Sequence, residues 1–348
     1  MEENNEKKLT ELSQLGEFGL IDRITKDFEI KNDSTIFGVG DDAAVVSQRE
    51  CELLITTDLL IEGIHFDLTY TPLKHLGYKA VAVNLSDVYA MNGTPKQITV
   101  SIGLSSRFSL EAIEELYAGI KLACNRYGVD LIGGDTSSSQ KGLIISVTAL
   151  GEAKKEDIVY RHGARENDLI CVSGDLGGAF IGLQLLEREK LVFMGNPKVQ
   201  PKFEERDYVL ERQLKPEARG DVIAELKKLG VKPTAMIDIS DGLSSELLHV
   251  CERSQMGCQV YEERLPIDVQ TIEASEEMNY DPTICAMNGG EDYELLFTVS
   301  IADFEKVKGN KLFSIIGHIT AYGSGANLIS RDGTSVPIKA QGWNSFAQ

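Results

Sequence analysis

Apolar residues in the first half of the chain follow two rhythms. Short runs rich in β-branched residues read as strands: IFGV at 36–39, AAVVS at 43–47, ELLITTDLLIEGIHF at 52–66, QITVSIGL at 97–104 and LIISVTALGE at 143–152. Two stretches between them carry helix signals. One follows Pro72 and ends near Gly93, with Pro95 behind it as a stop. The other opens at Ser109 with Glu111 in its first turn, repeats Ile113, Leu116, Ile120 and Ala123 at helical spacing, and ends at Gly128. A second block begins around the polar stretch KKEDIVYRHGAREND. It opens with the strand DLICVSG, a glycine-rich turn and the helix GGAFIGLQLL, and a Lys- and Glu-rich region then leads into another α/β unit. The expected class is α/β with mixed (α+β) sheets. The expected division is a polar arm over residues 1–13, a first domain over 14–155 and a second over 156–348.

A length of 348 residues is long for one hydrophobic core and comfortable for two. With 42% hydrophobic and 26% charged residues the composition is that of a soluble globular protein. Lys+Arg 35 against Asp+Glu 54 gives 35 − 54 = −19, which argues against a sequence-nonspecific nucleic-acid surface and against an anionic membrane. The start, MEENNEKKLTEL, has no apolar core of signal-peptide length, and no later run approaches the roughly 18 apolar residues of a membrane span. A cytoplasmic location is the expectation. The six cysteines, at 51, 124, 171, 251, 258 and 285, form no C-x-x-C pair and are expected to be reduced and packed, without a zinc site.

The acidic residues carry the candidate chemistry. In GVGDDAA, Gly38, Gly40 and Ala43 fit G-x-G-x-x-A, but the following AAVVSQRECELLITTDLLI has no helical period, so a dinucleotide site is set aside. Asp58 interrupts LLITTDLLI. Asp87 lies in KAVAVNLSDVYAMNG, apolar almost all round, and Asn84 shares its face three residues earlier. Asp135 follows the strand-like VDLIGG, where two glycines would let backbone approach a ligand. Asp238 and Asp241 lie in AMIDISDGLSSELLHV, a strand running into a helix start, and Asp241 fits an N-cap. Each acid alone has an ordinary explanation as a turn or cap residue. As a set they need cations, because buried carboxylates without them protonate or destabilise the fold. Few lysines or arginines stand nearby, and oxygen-rich sites suit Mg2+. Asp42, alone or with Asp41, is therefore expected to be displayed as part of a distributed magnesium cage.

In order along the chain, GVGDDAA, TTDLLIEGIHF, AVNLSDVYAMNG, LIGGDTS, IDISDG and GGEDYEL resemble the thiamine-monophosphate kinase family, and the likeness runs from GEFGLIDRI to QGWNSF. That family belongs to a superfamily with aminoimidazole ribonucleotide synthetase, selenophosphate synthetase and the hydrogenase-maturation dehydratase. The chain lacks the reactive N-terminal Cys of the second and the Cys-containing tail of the third. TTDLLIEGIHF and GGEDYEL match the first poorly. The resemblance implies a two-domain fold of the aminoimidazole ribonucleotide synthetase type, whose N-terminal sheet forms a dimer barrel with a second subunit and whose C-terminal α/β domain covers the nucleotide cleft. It implies magnesium ligands at Asp42, Thr56, Thr57, Asp58, Asp87, Asp135, Asp238 and Asp241, and ATP contacts at Tyr117, Gly134, Asp135, Arg161 and Ser240. The position of Tyr117 varies in the family. The implied thiamine-phosphate pocket is His65, Glu291 and Trp343. Arg161 also reads as a solvated charge in RHGAREND, His65 as an ordinary strand histidine and Trp343 as a core cover.

The implied reaction is ATP-dependent, Mg2+-assisted phosphorylation of thiamine monophosphate to thiamine diphosphate, the last step in making that compound. Such transfer needs positioning and charge neutralisation more than covalent help. A phosphate monoester is largely ionised at neutral pH, so direct in-line attack without a general base or phosphoenzyme is expected. No G-x-x-x-x-G-K-[ST] occurs, so metals, glycine backbone and a helix start would hold the triphosphate. Two other readings stay open: an ATP-dependent enzyme of cyclo-ligase type on the same scaffold, and a non-catalytic nucleotide- or metal-binding protein.

Overall fold

The computed structural model describes residues 23–37, 45–46, 51–203 and 205–340. The chain divides into two units, one taking residues up to Asn84 with Pro95–Glu152, the other Leu85–Thr94 with everything from Ala153 onward.

In the first unit a small antiparallel pair, β1 (Thr35–Phe37) and β2 (Val45–Val46), accompanies a four-stranded sheet in the order β3-β6-β4-β5. Its strands are β3 (Glu52–Ile61), β4 (Thr94–Leu104), β5 (Asp130–Ser138) and β6 (Ile144–Ala153), with β4 and β5 parallel. Helix α1 (Leu73–Ala90) is buried at every position from Leu76 to Ser86, which is why its sequence is apolar all round. Helix α2 (Leu110–Tyr127) ends as its sequence predicts. The Ser109 side chain accepts from the Ala112 N–H, and Gly128 at φ 68° donates its N–H to the Cys124 carbonyl.

The second unit holds a seven-stranded sheet in the order β13-β12-β9-β11-β7-β10-β8. Its strands are β7 (Leu169–Ser173), β8 (Ala235–Ile239), β9 (Gly257–Tyr261), β10 (Glu294–Val299), β11 (Phe313–Thr320), β12 (Ala326–Ile329) and β13 (Ser335–Pro337). The pairings are antiparallel except β12 with β9, so both units carry mixed or largely antiparallel sheets rather than a doubly wound parallel one. Helices α3 (Gly178–Gly195), α4 (Asp207–Leu214), α5 (Gly220–Leu229), α6 (Leu243–Ser254), α7 (Val269–Glu277), α8 (Pro282–Asn288) and α9 (Phe304–Val307) connect and cover it.

Strands β7, β8 and β10 are buried at every position because both faces of this sheet carry core. Alternation sorts them. Ile170, Val172, Ile237, Ile239 and Leu296 join one apolar cluster, whereas Leu169, Cys171, Met236, Leu295 and Phe297 join the other. Burying a large side chain such as Phe297 contributes about 1.5–3 kcal/mol. The same alternation turns Asp238 to the side of Met236, at the end of a strand with no other polar residue. The cysteines are all free, five of them buried and Cys51 half-buried. Among the described residues no helix is long and apolar enough to cross a membrane.

Candidate functional site

The first unit holds its acids on backbone that the fold fixes from behind. In β3, Leu54 and Leu60 face inward, and Thr56 and Asp58 lie on their side with half-buried side chains. The Asp58 N–H donates to Oδ1 of buried Asn84 at 3.0 Å, and the Asn84 amide in turn donates to the Ala80 carbonyl one turn back in α1. Thr57 points to the opposite face, where its hydroxyl donates to the Val147 carbonyl of β6 at 3.0 Å. The side chains of Thr56 and Asp58 thus lie on one face of β3 and that of Thr57 on the other. Asp135 does not follow a strand. It lies inside β5, opposite Ser101 of β4, and is exposed. A Cβ on the preceding Gly134 would stand 1.8 Å from the Val100 carbonyl, so the close approach that requires this glycine is to β4. His65 accepts the Ile61 N–H on Nδ1 at 3.1 Å, which puts the ring hydrogen on Nε2. Tyr117 is buried in α2, and burial pushes its phenol pKa up.

The second unit carries an acidic loop between β8 and α6. Asp238 accepts a hydrogen bond from the buried Ser86 hydroxyl at 2.8 Å, and Asp87 is the next residue of α1. Asp241 is not the N-cap of α6. That position is Gly242, and no side chain caps the helix. Instead the Asp241 N–H donates to Oε1 of Glu246 at 3.0 Å. Glu246 is buried, and its Oε2 has no hydrogen-bond partner. Burial pushes the Glu246 carboxyl up to about 8, with the Asp241 and Asp238 charges adding to the rise against backbone hydrogen bonds that oppose it. Burial also raises Asp241, opposed by His249. Among the described residues no lysine or arginine forms an ion pair with Asp241 or Glu246. This donor set is all oxygen and short of positive charge, which fits a hard divalent cation. It does not close a cage by itself: among the described residues no group of three or more His, Cys, Asp or Glu could hold a metal ion. Mg2+ typically asks only one or two carboxylates, with waters and substrate phosphates filling the remaining positions.

A second acidic segment folds onto this loop. The Glu291 N–H donates to the Ser240 carbonyl at 2.7 Å and the Tyr293 N–H to the Ile239 carbonyl at 2.9 Å, with both residues at positive φ, 66° and 51°. Between them Asp292, 1% exposed, accepts the Gly177 N–H at 2.8 Å and the Ala179 N–H at 3.4 Å, at the start of α3. Arg212 of α4 approaches Asp292 at 3.5 Å and Glu294 at 2.9 Å, and Arg219 and the Ser173 hydroxyl complete the shell of Glu294. Burial pushes Asp292 up to about 7 against the pull of Arg212. Arg161 is exposed beside the stacked rings of Tyr160 and His162. Asp41, Asp42, Trp343 and the arm over residues 1–13 lie outside the described residues. Sequence patterning passed over Ser86, Glu246, Asp292 and Arg212. Glu246 reads as an ordinary acid in a helix first turn, and Arg212 is 80 residues from Asp292 and 82 from Glu294.

Residues 40–153 match the family described as AIR synthase related protein, N-terminal domain. The thiamine-monophosphate kinase of Aquifex aeolicus (strain VF5) is 39% identical over 287 residues, 82% of this chain and 87% of that protein. That of Bacillus subtilis (strain 168) is 34% identical over 338 residues, covering 95% and 100%. A solved structure described as AaThiL complexed with AMPPCP and TMP superposes with TM-score 0.73 at 35% identity, over 96% of this chain and 98% of that one.

Proposed function

The chain belongs to the thiamine-monophosphate kinase family and has its two-domain fold, and from that premise we propose that it transfers the γ-phosphoryl group of ATP to thiamine monophosphate, giving thiamine diphosphate and ADP. The observation that carries this reading is the group of acids at the β8–α6 junction, where buried Asp238 and Glu246 stand with half-buried Asp241 and, among the described residues, no lysine or arginine is ion-paired to Asp241 or Glu246. Joining two phosphates needs positive charge at the site, and these acids are suited to receive part of it as a divalent cation.

When bound, Mg2+ would neutralise the phosphates of donor and acceptor. The candidate ligands are Asp42, Thr56, Thr57, Asp58, Asp87, Asp135, Asp238 and Asp241. The Thr57 hydroxyl donates its proton to the Val147 carbonyl, which leaves its oxygen lone pairs to face a cation. Tyr117, Gly134, Asp135, Arg161 and Ser240 are proposed for ATP, and His65, Glu291 and Trp343 for the thiamine phosphate. The acceptor arrives ionised, so no residue is assigned as base or nucleophile, and the chain's own task is to position the two phosphates in line. The activity of residues 14–155 would be metal and nucleotide binding and dimerisation.

The test is to supply ATP, Mg2+ and thiamine monophosphate and to measure products. ADP and thiamine diphosphate without inorganic phosphate support the reading. Inorganic phosphate released with ADP would point to cyclo-ligase chemistry, and no ATP consumption to a binding protein. A homodimer is proposed on one further observation: the outer face of edge strand β3 exposes Leu53 (39%), Ile55 (65%) and Leu59 (48%), an apolar row that a monomer would leave as an aggregation hazard. Sedimentation as a monomer at micromolar concentration would overturn it.

A further inference from the structure

The Glu291 carboxylate is held by a side chain that no motif marks. In α4, Gln213 donates from Nε2 to Oε2 of Glu291 at 2.7 Å. Gln213 is 5% exposed, and its stem lies at a close helix approach: a Cβ built on Gly182 of α3 would stand 3.0 Å from the Gln213 Cβ and 2.1 Å from the Val209 carbonyl, so α3 and α4 meet at a glycine beside it. The neighbouring Arg212 is bound to Glu294 and reaches Asp292, which ties this turn of α4 to the strand that follows Glu291. The main chain of Glu291 is fixed as well, at φ 66° with its N–H on the Ser240 carbonyl. With backbone and one carboxylate oxygen both set, the direction the carboxylate faces is set too.

We propose that Gln213 is a positioning residue for the phosphoryl acceptor, orienting the Glu291 carboxylate toward the cationic or amino-bearing part of the thiamine moiety. The inference rests on the reading of Glu291 as a substrate residue. A glutamine suits the task because its amide donates to a carboxylate without neutralising it, as an arginine in its place would.

The experiment measures thiamine monophosphate affinity by calorimetry in the presence of AMPPCP, with KM for both substrates and melting temperature, for the full chain and for Gln213→Met, Gln213→Leu, Glu291→Ala and Gln213→Met with Glu291→Ala. Loss of a hydrogen bond to a charged group predicts that Gln213→Met weakens thiamine monophosphate binding about tenfold or more while KM for ATP stays within about twofold. Because Gln213 acts through Glu291, the double variant should bind no more weakly than Glu291→Ala alone. Should the methionine variant not fold, Gln213→Leu, which likewise removes the amide donor, carries the same expectation. Additive losses, a parallel rise of both KM values with lowered melting temperature, or unchanged acceptor affinity would each overturn the proposal. Unchanged affinity in Glu291→Ala would remove the role of Glu291 as well, whereas loss in Glu291→Ala with none in the Gln213 variants would remove only the positioning role.

Discussion

Two groups of buried and half-buried acids lie in the second unit and are bound together by backbone hydrogen bonds, yet they are treated in opposite ways. Glu294 is closed off by Arg212, Arg219 and the Ser173 hydroxyl, and Asp292 by two helix-start N–H groups with Arg212 beyond. Asp241 is raised by burial with His249 opposing, and Glu246 by burial with the Asp241 and Asp238 charges adding to the rise. A buried carboxylate surrounded by guanidinium is part of the fold's own framework. One left short of cations is destabilising in the isolated chain, and a bound cation would offset that. On the proposed reading the same residue type is scaffold in one segment and cation receptor in the other, and the difference lies in what faces it.

The largest effect should come from unsettling the scaffold. Glu294→Gln would leave Arg212 and Arg219 buried without their shared carboxylate, and breaking a buried pair from one side costs about 3–5 kcal/mol. A melting temperature lower by on the order of 10 °C is expected for a unit of this size, with activity per folded molecule largely kept. If thermal stability is unchanged while turnover disappears, Glu294 belongs with the receptor acids and the comparison fails.

Asp241→Asn should do the reverse. Removing a charge that acts in the transition state lowers kcat/KM by about 10²–10³, roughly 3–4 kcal/mol. Stability should hold or rise, since a carboxylate next to Glu246 is gone. Thermal melting beside steady-state kinetics over a magnesium series separates the two contributions. Activity that falls only in proportion to the folded fraction would make Asp241 another scaffold residue.

Part of this contrast was legible in the sequence. IDISDG announces a strand ending in acids, and the all-apolar surroundings of Asn84 and Asp87 announce a buried helix, because local pattern decides both. The N-cap reading of Asp241 was not legible as wrong, since a cap and a displayed acid share one sequence. GGEDYEL hides more. Glu291 and Asp292 are adjacent, and only the left-handed backbone at Glu291 and Tyr293, which neither residue type favours, sends one to Gln213 and the other beneath α3. In sequence Asp135 reads as lying beyond a strand that in fact continues through it, because glycines that look like a terminus are there for the approach of β4. The roles themselves came from resemblance rather than from periodicity, and Gln213 lies outside every motif that carries it.

The smallest effect should come from titrating the scaffold acid that is least well matched. Asp292 has its carboxyl pushed from 3.8 up to about 7 by burial, with Glu294 adding to the rise and Arg212 and the Gly177 and Ala179 N–H groups opposing it. Over that interval the folded chain holds a proton that the unfolded chain has released. The contribution of Asp292 is therefore fully present below about 3.8 and is lost as pH rises through about 7, at most about 1.4 kcal/mol per pH unit. Asp292→Asn cannot titrate there, so the stability advantage of the natural chain over this variant should narrow between pH 5 and pH 7 by about 1 kcal/mol per unit or less. Urea unfolding at several pH values, without divalent cation so that the β8–α6 acids are not stabilised by a ligand, gives the difference directly. A gap that stays constant or widens toward pH 7 would mean that Arg212 and the start of α3 keep Asp292 ionised throughout. Asp292 would then be as fully matched as Glu294, and the division between scaffold and receptor acids would be sharper than its burial alone suggests.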